Sequence, residues 1–179
     1  VVVIGPGLGQ SSWSRALFER VLDSGLPLVV DADALNLLAR DPVSRENWIL
    51  TPHPGEAARL LGTDTATIQQ DRFAALESLQ KQYGGTVILK GAGTLIGGDG
   101  MPAVCAAGNP GMASGGMGDA LSGLLGALLA QGLEPAEAAR AGVCLHARAA
   151  DRAAATSGER GLLASDLIPL MREGLNGRH

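Results

Sequence analysis

The residues whose types and spacing could do chemistry are concentrated in one run. Gly115, Gly116, Gly118 and Asp119 lead straight into an apolar helical pattern over residues 120–129. Bare glycine backbone lets an anion approach closely, and a helix that starts there points its free amides and the positive end of its dipole at that anion. A carboxylate in the same place repels phosphate, so it needs a reason to be there. The economical reason is that Asp119 takes the proton from a hydroxyl that attacks the phosphate. The bland alternative is a tight turn with Asp119 as a cap, but capping does not call for three glycines beside it.

Four other segments carry unusual side chains. Gly5, Pro6, Gly7, Leu8 and Gly9 suggest a dinucleotide fingerprint, but Pro6 and the spacing do not fit one; the choice is a plain turn or a bare loop against a substrate. Asp31 and Asp33 put two carboxylates together. Asp33 reads as the cap of a helix over 34–40, and Asp31 as a holder of Mg2+-bound water or of a substrate hydroxyl. His53 is fixed between Pro52 and Pro54 and reads as a ligand contact. Glu56 either complements a helix dipole or helps to position Mg2+ and phosphate. Lys90, followed by Gly91, Ala92, Gly93 and Thr94, either snorkels to solvent or neutralises a nucleotide. His146 and His179 carry no such signal, and Arg148, Arg152 and Arg160 read as solvated.

The elements that must position these residues follow from the hydrophobic pattern. Residues 1–4, 27–30, 48–50 and 86–89 are continuous apolar strands, and 94–96 with 103–106 flank the hairpin signal Gly97, Gly98, Asp99, Gly100. Helices are expected from Ser11 or Ser12 to about 24, over 34–40, from the turn 51–56 to 61, from Asp64 or Thr65 to 82, over 134–156, and from a Ser165–Asp166 cap to about 173, with the tail 176–179 frayed. Apolar strands alternating with helices predict an α/β fold with a mostly parallel, doubly wound central sheet. In such sheets a ligand sits at the carboxyl ends of the strands. Residues 5–9, 31–33, 53–56 and 90–94 each follow a strand, so all four segments converge on that edge.

Composition bounds the function classes. The 179 residues are 46% hydrophobic and 18% charged, with a net charge of −4. That is a globular chain of one domain without a basic footprint for nucleic acid. No apolar run approaches the ~20 residues of a membrane span. Cys105 and Cys144 lack metal spacing and read as reduced thiols in a cytoplasmic protein. The first residue, Val1, already lies in a strand, so further strands are expected upstream.

Taken together, the stretches VVVIGPGLGQ, DADALNLLA, TPHPGEAARLLG, VILKGAGT and GNPGMASGGMGDALSGLLGALLAQG resemble the NAD(P)H-hydrate dehydratase branch of the ribokinase-like superfamily. The resemblance implies a ribokinase-like three-layer sandwich, of which residues 1–179 are the C-terminal two-thirds, with the N-terminal part missing. It implies ADP (or ATP) as phosphoryl donor, NAD(P)H-hydrate as substrate and Mg2+, with Asp31 and Glu56 as candidate metal ligands. Gly7 and His53 would contact the hydrated nicotinamide nucleotide, with Asp119 as base on its ring hydroxyl. Lys90, Gly91, Ala92, Gly93 and Thr94 would bind the adenine nucleotide, together with Gly115, Gly116 and Gly118. It further implies small-molecule partners only, a homo-oligomer, and an epimerase domain fused outside this chain. A sugar or vitamin-alcohol kinase of the same fold, or a non-catalytic nucleotide-binding module, would keep the same glycines.

Overall fold

Four short strands form a parallel ladder in the computed structural model, which describes residues 1–98 and 100–177: β1 (Val2–Ile4), β2 (Leu28–Val30), β3 (Trp48–Leu50) and β4 (Thr86–Leu89). An antiparallel hairpin, β5 (Thr94–Gly97) and β6 (Ala103–Cys105), extends it, so the sheet runs β1 to β6 in sequence order. Asp99 of the hairpin turn, and residues 178 and 179 of the tail, lie outside the described residues.

The strands read as unbroken apolar runs because both faces are covered. Leu28, Val30, Trp48, Leu50, Val87 and Leu89 enter one core, while Val29, Ile49 and Ile88 enter the other. The first core lies under α1 (Ser12–Asp23), α2 (Ala32–Arg40), α3 (Pro54–Leu61), α4 (Thr65–Gln70) and α5 (Arg72–Tyr83). The second lies under α6 (Met117–Ala130), α7 (Pro135–Ser157) and α8 (Ala164–Leu175). This is the expected three-layer sandwich. The doubly wound connectivity is not what forms: the helices joining β1 to β4 all sit on one face, and strand order does not reverse among the described residues. The other face is covered by helices that follow the strands in sequence. Of these, α6 lies so close to β1 that a Cβ on Gly126 would come within 2.4 Å of Val3 Cγ2.

Three local expectations are corrected. The helix over 64–82 is two helices, because Asp71 leaves helical geometry (φ −144°) and accepts from the Ala74 amide at 2.9 Å, starting α5. Asp31, not Asp33, caps α2, accepting from Ala32 N at 2.9 Å. The last helix begins at Ala164 rather than at a Ser165–Asp166 cap; Asp166 sits one turn in and accepts from Leu163 N at 2.9 Å. In each case a short carboxylate side chain meets an amide three residues away, or next door, and the geometry of that bond fixes the boundary.

Candidate active site

The carboxyl ends of β1 to β4 share one edge, and α6 brings its N-terminus to it. At the centre lies Asp31, whose side chain is 2% exposed and whose carboxylate accepts from Lys90 Nζ at 2.8 Å and from Ser122 Oγ of α6 at 2.8 Å. Burial pushes this carboxyl upward. The Lys90 charge, with hydrogen bonds from Lys90, Ser122 and Thr51, outweighs it and holds the group below its ordinary value. A Cβ on Gly118 would lie 3.4 Å from Lys90 Nζ and 3.5 Å from Asp31 Oδ2. The ion pair and the Ser122 hydrogen bond thus tie the ends of β2 and β4 to α6. Beside it Ala32 stands at φ +47°, the only non-glycine residue at positive φ among the described residues. Such a conformation costs about 1–3 kcal/mol and persists where its surroundings over-determine it.

The flanking loops are held in place by polar bonds. Gly5 comes so near β2 that a Cβ on it would meet Asp31 O at 1.7 Å. Gly9 N donates to Asp33 Oδ2 at 2.8 Å, which is what Asp33 does instead of capping, and Gly7 is exposed in the loop between. His53 caps α3: its Nδ1 accepts from Gly55 N at 3.0 Å, while its own amide donates to Glu56 Oε2 at 2.8 Å. The imidazole is 52% exposed, and its Nε2 lies 3.5 Å from Glu56 Oε1. In the loop after β4, Arg72 of α5 donates to the carbonyls of Leu89, Ala92 and Gly93 at 3.0, 2.6 and 3.0 Å. Thr94 Oγ1 donates to Gly91 O at 3.0 Å.

The glycine run is anchored from behind. Asp151 of α7 accepts from Gly108 N at 2.9 Å and from Asn109 Nδ2 at 3.0 Å, and Asn109 Oδ1 accepts from Gly111 N at 3.0 Å. The chain then reaches Gly116 at φ +84°, the N-cap of α6, where no side chain caps the helix. Its first amides are left for an external acceptor. Gly115 and Gly116 are exposed, as is Asp119, whose carboxylate takes no partner among the described residues. His146 is buried beneath this turn, 5% exposed, and burial lowers its pKa to about 4, so it is neutral at pH 7.

Asp31 and Glu56 do not fit Mg2+ as placed. They share the Lys90 ammonium, which is 2.8 Å from Asp31 Oδ1 and 3.8 Å from Glu56 Oε2, and Glu56 is engaged in the α3 cap. Among the described residues no three His, Cys, Asp or Glu side chains gather in a metal-holding group. The positive charge between these two carboxylates comes from the protein.

The family model described as NAD(P)H-hydrate dehydratase matches residues 1–172. The chain belongs to the NAD(P)H-hydrate dehydratase family. Among similar members, the bifunctional NAD(P)H-hydrate repair enzyme of Coxiella burnetii is 59% identical over 177 residues, covering 98% of this chain and 36% of that protein. The ADP-dependent (S)-NAD(P)H-hydrate dehydratase of Neisseria meningitidis serogroup B is 44% identical over 180 residues, covering 95% of this chain and 61% of that protein. The chain therefore spans less than two-thirds of either relative. The solved ADP/ATP-dependent NAD(P)H-hydrate dehydratase of Bacillus subtilis, co-crystallized with ATP/Mg2+, superposes with a TM-score of 0.89 at 30% identity, covering 99% of this chain and 64% of that one. A ribokinase-like superfamily protein of Enterococcus faecalis gives 0.86 at 29% identity, with 98% and 62% covered.

For this family member, the structure brings Asp31, Glu56, Lys90 and Gly118 together, and arrays residues 5–9, His53 and residues 91–94 on the loops of the same sheet edge, with Asp119 in the first turn of α6. Sequence reasoning missed Ser122, Arg72, Asp151 and His146. Ser122 had a signal, since it is a lone hydroxyl in an apolar helical run four residues after Gly118. Arg72 and Asp151 had none, because their partners, backbone groups apart from the Asn109 side chain, lie 17 to 43 residues away. No described helix is long and apolar enough to cross a membrane.

Proposed function

We propose that this chain carries the dehydratase chemistry of its family: nucleotide-dependent return of (S)-NAD(P)H-hydrate to NAD(P)H. The observation that carries the reading is the start of α6, an uncapped helix N-terminus at a glycine turn with an exposed, unpartnered Asp119 in its first turn. The anion site and the base are adjacent, which suits phosphoryl transfer to a hydroxyl. Gly7 and His53 flank the hydrated nicotinamide. Residues 90–94, with Gly115, Gly116 and Gly118, receive the adenine nucleotide. ADP is the preferred donor, in line with the name of the Neisseria relative. Residues 1–179 then correspond to about two-thirds of a dehydratase domain, as the 61% coverage of that relative supports. An epimerase partner is carried outside the chain, in keeping with the bifunctional relatives.

The steps balance. Asp119 accepts the proton of the C6 hydroxyl, whose oxygen attacks the β-phosphorus of ADP. The bond from that phosphorus to the bridging oxygen breaks, and AMP leaves. The α6 amides stabilise the charge on the transferring group. Hydroxide is a poor leaving group and phosphate a good one, so the ring-nitrogen lone pair expels phosphate from C6. Loss of a C5 proton then restores the double bond.

The test is incubation of the protein carrying this chain with (S)-NADH-hydrate and ADP. Recovery of 340 nm absorbance with equimolar AMP and phosphate is expected. A stable phosphoester without NADH would make the protein a kinase and overturn the reading.

A further inference from the structure

We propose that Arg72 is the positioning residue of the nucleotide loop, holding the backbone of residues 89–93 from behind in the form that receives the adenine nucleotide. This rests on the nucleotide role proposed above for residues 90–94. The guanidinium is the hub around which the loop is wrapped. Nη1 donates to Ala92 O at 2.6 Å and Gly93 O at 3.0 Å, and Nη2 donates to Leu89 O at 3.0 Å and lies 3.5 Å from Lys90 O. Four carbonyls from five consecutive residues thus face one cation. Gly91, the fifth, stands at φ +146°, and a Cβ there would come within 3.2 Å of Nη2. A side chain at that position would crowd the guanidinium and would be strained at this φ.

Converging carbonyl dipoles repel one another unless a cation sits at the focus. A turn that directs its carbonyls inward presents its amide ends outward, the arrangement that cradles anions. Arg suits the focus better than Lys, because a planar fork of fixed donors spans several acceptors at once. The side chain gives up a bond to keep this orientation: Arg72 Nε is buried with no partner. Burial lowers the guanidinium pKa, yet the group remains a cation at neutral pH. The same loop begins with Lys90, whose ammonium is fixed by Asp31 at 2.8 Å. Arg72 therefore sets the backbone of the loop, and Asp31 sets its one charged side chain.

Arg72→Lys keeps the charge and removes the fork. The expected result is a rise of about tenfold or more in the ADP dissociation constant, measured by calorimetry. The KM for ADP should rise in step, the KM for NADH-hydrate should change less, and the melting temperature without nucleotide should fall only modestly, since the variant loses hydrogen bonds to half-buried carbonyls. Amides of residues 91–93 should exchange faster with deuterium in the variant. Equal ADP affinity in R72K and the unmutated protein overturns the role. So does a loss shared equally by both substrates and by stability, since Arg72 would then be a staple of the fold. If R72K does not fold, Arg72→Gln carries the same comparison, and failure of both to fold also overturns it. Absence of ADP and ATP binding in the unmutated protein defeats the nucleotide reading itself, a result separable from equal binding by variant and parent.

Discussion

Replacing Asp31 by Asn removes one charge from the centre of the sheet edge while preserving shape. The variant leaves the Lys90 ammonium without its 2.8 Å partner. Breaking a buried ion pair from one side costs about 3–5 kcal/mol. Lys90 is 21% exposed and Glu56 lies 3.8 Å from it, so part of the loss is recovered and the low end applies, about 3 kcal/mol. For a chain of this size each kcal/mol moves the melting temperature by roughly 2–4 °C, which gives a fall of about 6–12 °C. The pH dependence has a definite sign. The Asp31 carboxyl is lower in the folded protein than in the unfolded chain. Its contribution is therefore complete above the unfolded value of about 4 and is lost as pH falls through the lower folded value. Thermal melts followed by circular dichroism should show a gap between D31N and the unmutated protein that is flat from about pH 8 to 5 and narrows in acid. A gap under about 2 °C at pH 7, or one that does not narrow, would refute the ion-pair account.

Two further outcomes follow from single residues. Gly5→Ala would drive a methyl into Asp31 O, 1.7 Å away, at φ +134°, so urea titration should show a loss above about 4 kcal/mol or no folded state; a normal midpoint would contradict the close approach. His146 has a folded pKa of about 4, below the unfolded value of about 6.5. Its neutral burial costs nothing above about pH 6.5 and costs progressively more as pH falls toward 4, up to about 3 kcal/mol. Urea titrations at pH 7 and 5 should show His146→Gln losing less stability on acidification than the unmutated protein, and an equal loss would sink the assignment.

The strands were legible because burial on both faces leaves nothing but apolar residues, as in Trp48–Leu50. The convergence of loops on one edge followed from parallel strands alone. What the sequence hid were choices between chemically similar neighbours. Asp31 and Asp33 both could cap α2, and only the backbone at Ala32 selects Asp31. Asp31 and Glu56 looked like a cation pair, but Lys90, 59 positions after Asp31, fills the gap between them. The break at Asp71 was invisible because Gln70, Asp71 and Arg72 continue a helical pattern, and the Asp71 side chain serves as the cap of the next helix. The sequential strand order was hidden too, since pattern gives strands without their order in the sheet.

The central claim is that Asp119 is the base beside an anion-binding helix start. Asp119→Asn, assayed with (S)-NADH-hydrate and ADP at 340 nm and titrated with ADP by calorimetry, tests it directly. The account predicts ADP affinity within about twofold of the unmutated protein and turnover lower by about a hundredfold to ten-thousandfold. Turnover within tenfold of the unmutated protein, with ADP still bound, would contradict it.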